Sequence, residues 1–215
     1  MSQAKNNITY RKIERKDKTV IYNFVENAYS SGWEHENESS KKRLTKLYYS
    51  SLMLMGKYGM VAVHRGQVVG VVFAGNRNKK VIRPVISLKK QMILLMLRLS
   101  KEGRTNIQNL KQKLEMQKEL IQEAGSGSEM EIFMLYVEEG FDKKIIGAKL
   151  LELVLLEDAI KEKEKLQVIV EQKREVAYFE QCGFQKIAEK EEMMEINRQR
   201  FREKLCLLSK HISKL

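Results

Sequence analysis

The sequence predicts an α/β (α+β) fold in which strands alternate with helices and two further helices are inserted between the third and fourth strands. Residues 132–137 are consecutive apolar or aromatic residues, a run too short for a typical buried helix and typical of a central strand covered on both faces. After Lys143 the apolar residues recur at helical spacing. Between residues 77 and 128 the spacing changes to that of two long helices, which we interpret as the insertion.

The composition is that of a folded, basic protein. The chain has 215 residues, of which 43% are hydrophobic, and this suffices for a single domain over residues 1–215 that includes the insertion at 77–128. Its net charge of +12 indicates either an anionic partner, such as nucleic acid or a phosphate-bearing cofactor, or a solvated basic surface. The basic residues are spread among 28 acidic ones without a nucleic-acid-binding motif, so we expect no nucleic-acid partner.

The sequence shows no pattern typical of a membrane span or a secretion signal. The longest apolar run, Met92–Leu97, is far shorter than the ~20 residues that cross a bilayer, and the N-terminal residues lack an apolar signal core. Cys182 and Cys206 are isolated thiols without metal or redox spacing. The expectation is a cytoplasmic protein with free thiols and no membrane partner.

The chain is predicted to begin with one strand and two helices. Residues 8–14 alternate as in a strand, and Asp17 stands where it can cap the first helix. Ser39 or Ser40 can cap the second helix.

Two antiparallel strand pairs are predicted. The first consists of residues 59–64 and 67–73, because the dipeptide at 65–66, Arg-Gly, favours a tight turn. The second, residues 184–188 and 204–208, ends the predicted sheet.

The insertion begins with a very apolar predicted helix, Val85–Ser100, whose basic residues are Lys89, Lys90 and Arg98. Thr105 can cap the second inserted helix. The apolar helix could form a substrate lid, a homodimer face or an element that touches a membrane. Packing against its partner helix is the interpretation we favour.

The loop after the central strand is a candidate ligand site. Glu138, Glu139 and Gly140 end the strand, and Asp142 stands at the N-cap position of the helix that begins at Lys143. A strand, a short loop and an exposed helix N-terminus can hold a phosphate group, because free amides and the positive end of the helix dipole point at one place.

The residues around this loop resemble the acetyl-CoA pyrophosphate loop of the GNAT N-acetyltransferase superfamily. The family pattern, Gln/Arg-x-x-Gly-x-Gly/Ala, falls here on residues 142–147, and only Gly147 matches it. A predicted strand at 166–170 and a short helix at 175–182 follow, and residues 177–184 are similar to the family's Ala-x-x-Phe-Tyr-x-x-x-Gly-Phe region. The order of the predicted elements is also that of the family.

The resemblance implies a mixed, mostly antiparallel sheet flanked by helices. It also implies an enzyme that moves an acetyl group from acetyl-CoA to an amino group of a small molecule or peptide. Gln172 stands where many members carry an asparagine that bonds the pantetheine arm, and Phe179 stands where many carry a tyrosine that protonates the leaving thiolate. The implied cofactor-binding residues are Leu135, Tyr136, Val137, Asp142, Lys143, Lys144, Ile145, Ile146, Gly147, Ala148, Gln172 and Phe179.

Several of these residues depart from the family pattern. Asp142 would repel a phosphate, and Ile145 places a β-branched side chain where the pattern has glycine. Lys143 and Lys144 could compensate, or they could simply form a solvated first helical turn. Phe179 has no proton to give. A non-catalytic binding or regulatory module of the same fold therefore remains an alternative, as does a basic nucleic-acid-binding protein.

Glu131 is the candidate general base. Acetyl transfer needs a neutral amine, so a carboxylate or an ordered water must remove its proton. Glu131 lies six residues before Val137, where histone-acetyltransferase-like members of the family carry their base glutamate. Alternatively, Glu131 lies at the solvent-exposed start of the strand and has no catalytic role.

The acceptor site is expected near the loop between the first two helices. This loop includes Trp33, Glu34 and Glu36, whose acidic residues would favour a cationic amine. A solvated acidic loop is the alternative. The three histidines share no ligand spacing, so no metal is expected.

Overall fold

The computed structural model describes residues 8–29, 37–79, 81–125, 130–157, 160, 165–171, 173–196 and 199–212. The strands are β1 (Ile8–Lys12), β2 (Tyr58–His64), β3 (Gln67–Asn76), β4 (Met130–Val137), β5 (Lys165–Val170), β6 (Gln185–Ile196) and β7 (Gln199–His211). The helices are α1 (Lys18–Tyr29), α2 (Glu38–Met55), α3 (Pro84–Arg98), α4 (Lys101–Glu123), α5 (Lys143–Leu155) and α6 (Lys173–Gln181).

The described strands form a sheet in the order β1-β2-β3-β4-β5-β7-β6. All neighbouring pairs are antiparallel except β4 and β5, which are parallel. The predicted mixed, mostly antiparallel sheet is therefore confirmed. The turn between β2 and β3 passes through Arg65 and Gly66, whose φ angles of 49° and 82° are those of the predicted tight hairpin.

Helices cover both faces of the sheet. On one face, α1 and α2 pack Phe24 and Leu52 against Val71 of β3. On the other face, Leu150 of α5 and Phe179 of α6 belong to the larger core. Each helix presents an apolar stripe to the sheet, and the burial of these stripes is the main force that assembles the layers.

The inserted helices α3 and α4 pack onto the rest of the fold. Met116 and Leu120 of α4 are buried against Leu205 and Leu207 of β7. One side of α3 carries the fully buried Leu97, which packs with residues of α2 and α4. The insertion therefore contributes to the core, and one side of α3 packs against its partner helix as expected.

Two helix caps differ from the sequence prediction. Asn37, and not Ser39 or Ser40, caps α2, because its side chain accepts a hydrogen bond from the Ser40 amide at 2.8 Å. Ser100, and not Thr105, caps α4 by accepting from an amide of the first turn. In both cases an equally good capping residue lies a few positions earlier, and the sequence pattern did not distinguish them.

The prediction that Asp17 caps α1 is wrong. It ends a short 3₁₀ turn, Arg15–Asp17, and is 3% exposed. Its two carboxylate oxygens accept from the Arg11 guanidinium at 2.7 and 2.8 Å, and one of them also accepts from the Glu14 amide. The hydrogen bond from Arg11 holds the pKa of Asp17 below its ordinary value, although burial acts in the opposite direction.

The last strand pair is longer than predicted. The apolar segments 184–188 and 204–208 are only the inner part of β6 and β7, which pair from Gln185 to Ile196 and from Gln199 to His211. Charged residues in the outer part of this hairpin obscured the strand pattern. No helix in the described part of the chain is long and apolar enough to cross a membrane.

Candidate active site

A split between β4 and β5 is the main opening in the sheet. The two strands pair at only three positions, Met130–Leu166, Glu131–Gln167 and Ile132–Val168. Both strands continue beyond this point, β4 to Val137 and β5 to Val170. The described pairing therefore ends while both strands run on, which leaves one edge of β4 open.

A β-bulge marks the point where the split begins. Phe73 of β3 pairs with Met134, but the next residue, Ala74, pairs with Ile132, so Phe133 is the extra residue in β4. A bulge bends the strand that carries it and increases its twist. The bend in β4 follows directly after its last pair with β5, and it accounts for the separation of the two strands.

The residues beyond the bulge present both polar backbone and apolar side chains to this opening. Leu135 packs with the core beneath α5 and α6, and Tyr136 lies on the opposite face with its ring 4.8 Å from that of Phe24. The Glu138 amide returns to β3 and donates to Val69 at 2.9 Å. The open edge thus spans residues 133–137, and an extended ligand could pair with it as an added strand.

Asp142 caps α5, as predicted. Its carboxylate accepts from the amides of Lys144 at 2.8 Å and Ile145 at 3.2 Å. A phosphate bound to this helix start would use the same two amides. The carboxylate therefore occupies the position of an anionic ligand.

The amide of Ile146 is already hydrogen-bonded within α5. Ile146 was expected among the cofactor-binding residues, and its amide donates to the carbonyl of Asp142 at 2.9 Å inside the helix. The helix begins at Lys143, so Ile146 already lies in a closed helical turn. The side chain of Ile145 is 67% exposed at the helix start.

Gly147 is required for a close helix–helix contact. A Cβ atom added at this position would lie 2.3 Å from the Tyr178 hydroxyl oxygen of α6. That hydroxyl donates to the Lys143 carbonyl at 3.4 Å, and the Lys143 ammonium lies 5.2 Å from the centre of the Tyr178 ring. Burial is the main cause that raises the pKa of Tyr178 above its ordinary value, with Cys182 as a further contributor. Tyr178 therefore stays protonated at neutral pH, wedged against the first turn of α5.

Phe179 lies in the core beside Tyr178. It is 6% exposed, and its ring centre is 5.3 Å from that of Phe184. Its role in this structure is packing.

A cavity of about 360 Å³ lies between α5 and α6. It carries the cations of Lys144 and Lys210, and Lys210 also donates to the Cys182 carbonyl at 2.7 Å. The cavity therefore offers positive charge beside an apolar wall. Its lining residues are Lys144, Ala148, Leu151, Glu152, Leu155, Tyr178, Gln181, Cys182 and Lys210.

Glu131 is buried, so the alternative of a solvent-exposed strand start is wrong. It is 7% exposed, and both carboxylate oxygens accept from the Arg77 guanidinium, one of them from Nε at 2.7 Å. Arg77 also donates to Gln117 of the inserted helix α4 at 2.9 Å. Glu131 therefore lies two residues before Phe133, where the split begins, and it is held by an arginine to which the sequence pattern does not point.

Two further polar side chains continue this row across the sheet. Gln167 of β5 pairs with both Glu131 of β4 and Ser209 of β7, and it is 4% exposed. Gln167 Nε2 and Ser209 Oγ have no hydrogen-bond partner among the described residues. Buried polar groups normally have a partner, so this row can accommodate a water or a ligand group.

An ionic cluster lies at the open end of β5. The Lys113 ammonium of α4 is 2.5 Å from Glu171, which follows β5, and 3.0 Å from Glu203 of β7. Glu203 Oε1 has no hydrogen bond of acceptable geometry despite this short contact. Burial lowers the pKa of Lys113, but the charge of Glu171, with Tyr48 and Glu203, outweighs it and raises the pKa above the ordinary value.

Two tyrosines extend this cluster toward α1 and α2. The rings of Tyr29 and Tyr48 are 4.6 Å apart, and both phenols interact electrostatically with Lys113 and Glu171. Burial raises the pKa of both phenols above the ordinary value. The cluster thus combines two carboxylates, two phenols and one internal ammonium group.

The sequence patterns do not predict this cluster. The position of Glu171 directly after a central strand was the one available signal, because ligand-binding residues often lie at strand ends. Trp33, Glu34 and Glu36, the expected acceptor residues, and Gln172 lie outside the described residues. Across the described ranges, no three His, Cys, Asp or Glu side chains come together as a group that could hold a metal ion.

Comparisons with known proteins identify the fold. No protein-family model matches the sequence, and no curated protein matches it. An agmatine N-acetyltransferase structure is similar at a TM-score of 0.60 with 15% identity, over 95% of this chain and 99% of the other. A polyamine N-acetyltransferase from Drosophila melanogaster, which forms N-acetylagmatine, gives a TM-score of 0.58 with 15% identity over 95% and 100% of the two chains.

A putative acetyltransferase from Salmonella typhimurium, solved with acetyl-CoA, gives a TM-score of 0.54 with 13% identity over 98% of this chain and 96% of the other. At such identities the likeness establishes the fold. The GNAT fold expected from the sequence is therefore confirmed.

Proposed function

We propose that this chain, which has the fold of the GNAT N-acetyltransferases, transfers an acetyl group from acetyl-CoA to an amino group of a small molecule or peptide. The observation that carries the proposal is the split that opens at the Phe133 bulge, next to the N-terminus of α5. It combines an open strand edge for an extended arm with a helix start for a phosphate.

The cofactor would follow the open edge of β4. The amide groups of the pantetheine arm would pair with the backbone of Leu135, Tyr136 and Val137, and Gln172 is proposed to bond the arm as well. The pyrophosphate would lie at the start of α5, near Lys143 and Lys144. The cavity between α5 and α6 would receive the adenosine end, and its lining residues Lys144 and Lys210 would supply positive charge for the 3′-phosphate.

The reaction needs a neutral amine. Its nitrogen attacks the thioester carbonyl, the carbon–sulfur bond breaks, and the thiolate leaves with the electron pair. Glu131 would accept the amine proton, directly or through a water, after releasing one oxygen from Arg77. Phe179 cannot protonate the thiolate, and a thiolate of ordinary pKa leaves without such help.

The acceptor would be a cationic amine bound near Glu171 and Glu203. The two carboxylates carry one more charge than Lys113 neutralises, and among the described residues Glu203 Oε1 has only the ion-pair contact with Lys113, without a hydrogen bond of ordinary geometry. A second cationic group on the substrate would balance this charge and donate a hydrogen bond to Glu203. Two of the similar structures are an agmatine and a polyamine N-acetyltransferase, which supports this substrate class. Trp33, Glu34 and Glu36 are proposed to border the same site.

A turnover assay that detects released coenzyme A tests this proposal. We expect acetylation of agmatine and slower acetylation of pentylamine, a primary alkylamine with no second cation. Calorimetric titration with coenzyme A, run in parallel, should show binding. Turnover of pentylamine in preference to agmatine would contradict the substrate class, whereas absence of cofactor binding would contradict the enzyme itself.

A non-catalytic module of the same fold is the second candidate. The capping carboxylate of Asp142 and the missing hydroxyl at Phe179 favour it. Such a module would bind coenzyme A or a related nucleotide weakly and would show no turnover with any amine.

A further inference from the structure

One side of α3 exposes an unusually large apolar surface. Seven large apolar residues between positions 82 and 99 have exposed fractions of 46–94%. They recur mostly at steps of three or four residues, so they lie along one side of the helix. The opposite side, which includes Leu97, is buried against α2 and α4, so the helix is held in place with this surface outward. The exposed residues are Ile82, Val85, Leu88, Met92, Leu95, Met96 and Leu99.

The charged residues of this segment, from position 79 to position 101, have a single sign. No acidic residue occurs between positions 79 and 101, whereas seven basic residues do. Lys89 and Arg98 are exposed on α3 itself, within the apolar stripe and at its end. The basic residues of this segment are Lys79, Lys80, Arg83, Lys89, Lys90, Arg98 and Lys101.

This charge pattern decides between two partners. A two-fold homodimer through α3 would bring the same surface against itself, and each cation on the rim would meet the cations of the other copy. Without an acidic residue in the segment, nothing on α3 compensates for that repulsion. A partner with an apolar interior and an anionic boundary complements both the exposed apolar residues and the cations of this segment.

We propose that α3 docks this protein onto the surface of an anionic lipid bilayer. The 15-residue helix is about 22 Å long, at 1.5 Å per residue, so it lies in the interface and does not cross the membrane. The exposed apolar side chains enter the boundary of the acyl chains, and the lysines and arginines reach the lipid phosphates. This docking is independent of the proposed acetyl transfer.

Vesicle co-sedimentation of the full chain tests the proposal. We expect binding to vesicles of phosphatidylcholine with about 30% phosphatidylserine, little binding to phosphatidylcholine alone, and loss of binding at high salt. The double variant Leu88→Glu with Leu95→Glu should bind at least about tenfold more weakly, because both charges lie in the inserted stripe.

A matched variant controls for the loss of any exposed apolar residue. Leu114→Glu with Ile187→Glu also places two acids at exposed apolar positions, which are 47% and 44% exposed, but on α4 and β6 instead of α3. It should keep most of the binding. The proposal is overturned if wild type does not bind anionic vesicles or if the two double variants bind equally. It is also overturned if wild type sediments as a dimer that Leu88→Glu with Leu95→Glu dissociates.

Discussion

At the scale of single residues, Asp142 should have the most direct effect on the affinity for coenzyme A. It caps α5 through the amides of Lys144 and Ile145, the groups that a pyrophosphate would also need. The same side chain therefore stabilises the helix and competes with the ligand. The negative charge can be removed without loss of the helix cap, because asparagine caps helices about as well as aspartate.

Asp142→Asn should therefore tighten the binding of coenzyme A and change the melting temperature little. Removing one unfavourable charge next to the pyrophosphate is expected to improve binding by about 1 kcal/mol, roughly fivefold in Kd. Glu139→Gln is the control, since it removes an exposed charge from the same loop without a capping contact. Equal gains from both variants would show that only net charge matters.

Glu131 and Arg77 can be separated by paired variants. If Glu131 accepts the amine proton, Glu131→Gln should lower kcat by at least about 100-fold and leave coenzyme A affinity nearly unchanged. Arg77→Gln keeps the carboxylate, so it should retain turnover. Equal loss of stability in both variants, with kcat unchanged, would assign the pair a purely structural role.

The ion pair of Asp17 with Arg11 predicts an effect on acid stability. Because Arg11 lowers the folded-state pKa of Asp17, this stabilisation is present above the ordinary carboxyl pKa of about 4 and is lost as pH falls through the folded-state value. Asp17→Asn should cost about 1–3 kcal/mol at neutral pH and much less in acid, as measured by urea unfolding. Glu115→Gln, in a surface pair with Lys118, should cost little at either pH.

At the scale of elements, the contact between α5 and α6 depends on Gly147. A methyl group there would collide with the Tyr178 hydroxyl, so Gly147→Ala should destabilise the fold by about 1–3 kcal/mol. Tyr178→Phe removes the hydroxyl oxygen that the new methyl group would contact. In the Tyr178→Phe background, Gly147→Ala should therefore lower the free energy of unfolding by clearly less. Additive losses in this double-mutant cycle would place the strain elsewhere.

The elements themselves were largely predictable from the sequence, and the split was not. The apolar run at 132–137 and the helical spacing after Lys143 predicted β4 and α5, because each pattern is local. Phe133 carries the bulge within an unbroken apolar run, and no feature of its side chain distinguishes it from its neighbours. The choice among nearby capping residues, such as Asn37 over Ser39, failed for the same reason.

The candidate site was predictable only where it is contiguous in sequence. The loop and the cap at Asp142 were found because their residues are neighbours. Lys113 and Glu203 are separated by most of the second half of the chain, and they meet because α4 crosses the sheet next to β7. Arg77 meets Glu131 for a similar reason, through the pairing of β3 with β4.

At the scale of the whole molecule, the charge cluster should control substrate choice. Glu203→Gln should lower kcat/KM for agmatine about tenfold and leave pentylamine nearly unaffected, since only the former carries a second cation. Glu192→Gln, at the Cα partner of Glu203 on β6, is the control. An equal effect of Glu203→Gln on both amines would place the cation elsewhere.

The proposed function depends most on acetyl-CoA occupying the split between β4 and β5. Hydrogen exchange of the backbone amides, measured with and without coenzyme A, tests it most directly. With coenzyme A bound, exchange should slow at residues 133–137 and at the start of α5, while exchange in the β1–β2 pair should be unchanged. Binding of coenzyme A without protection at residues 133–137 would contradict it.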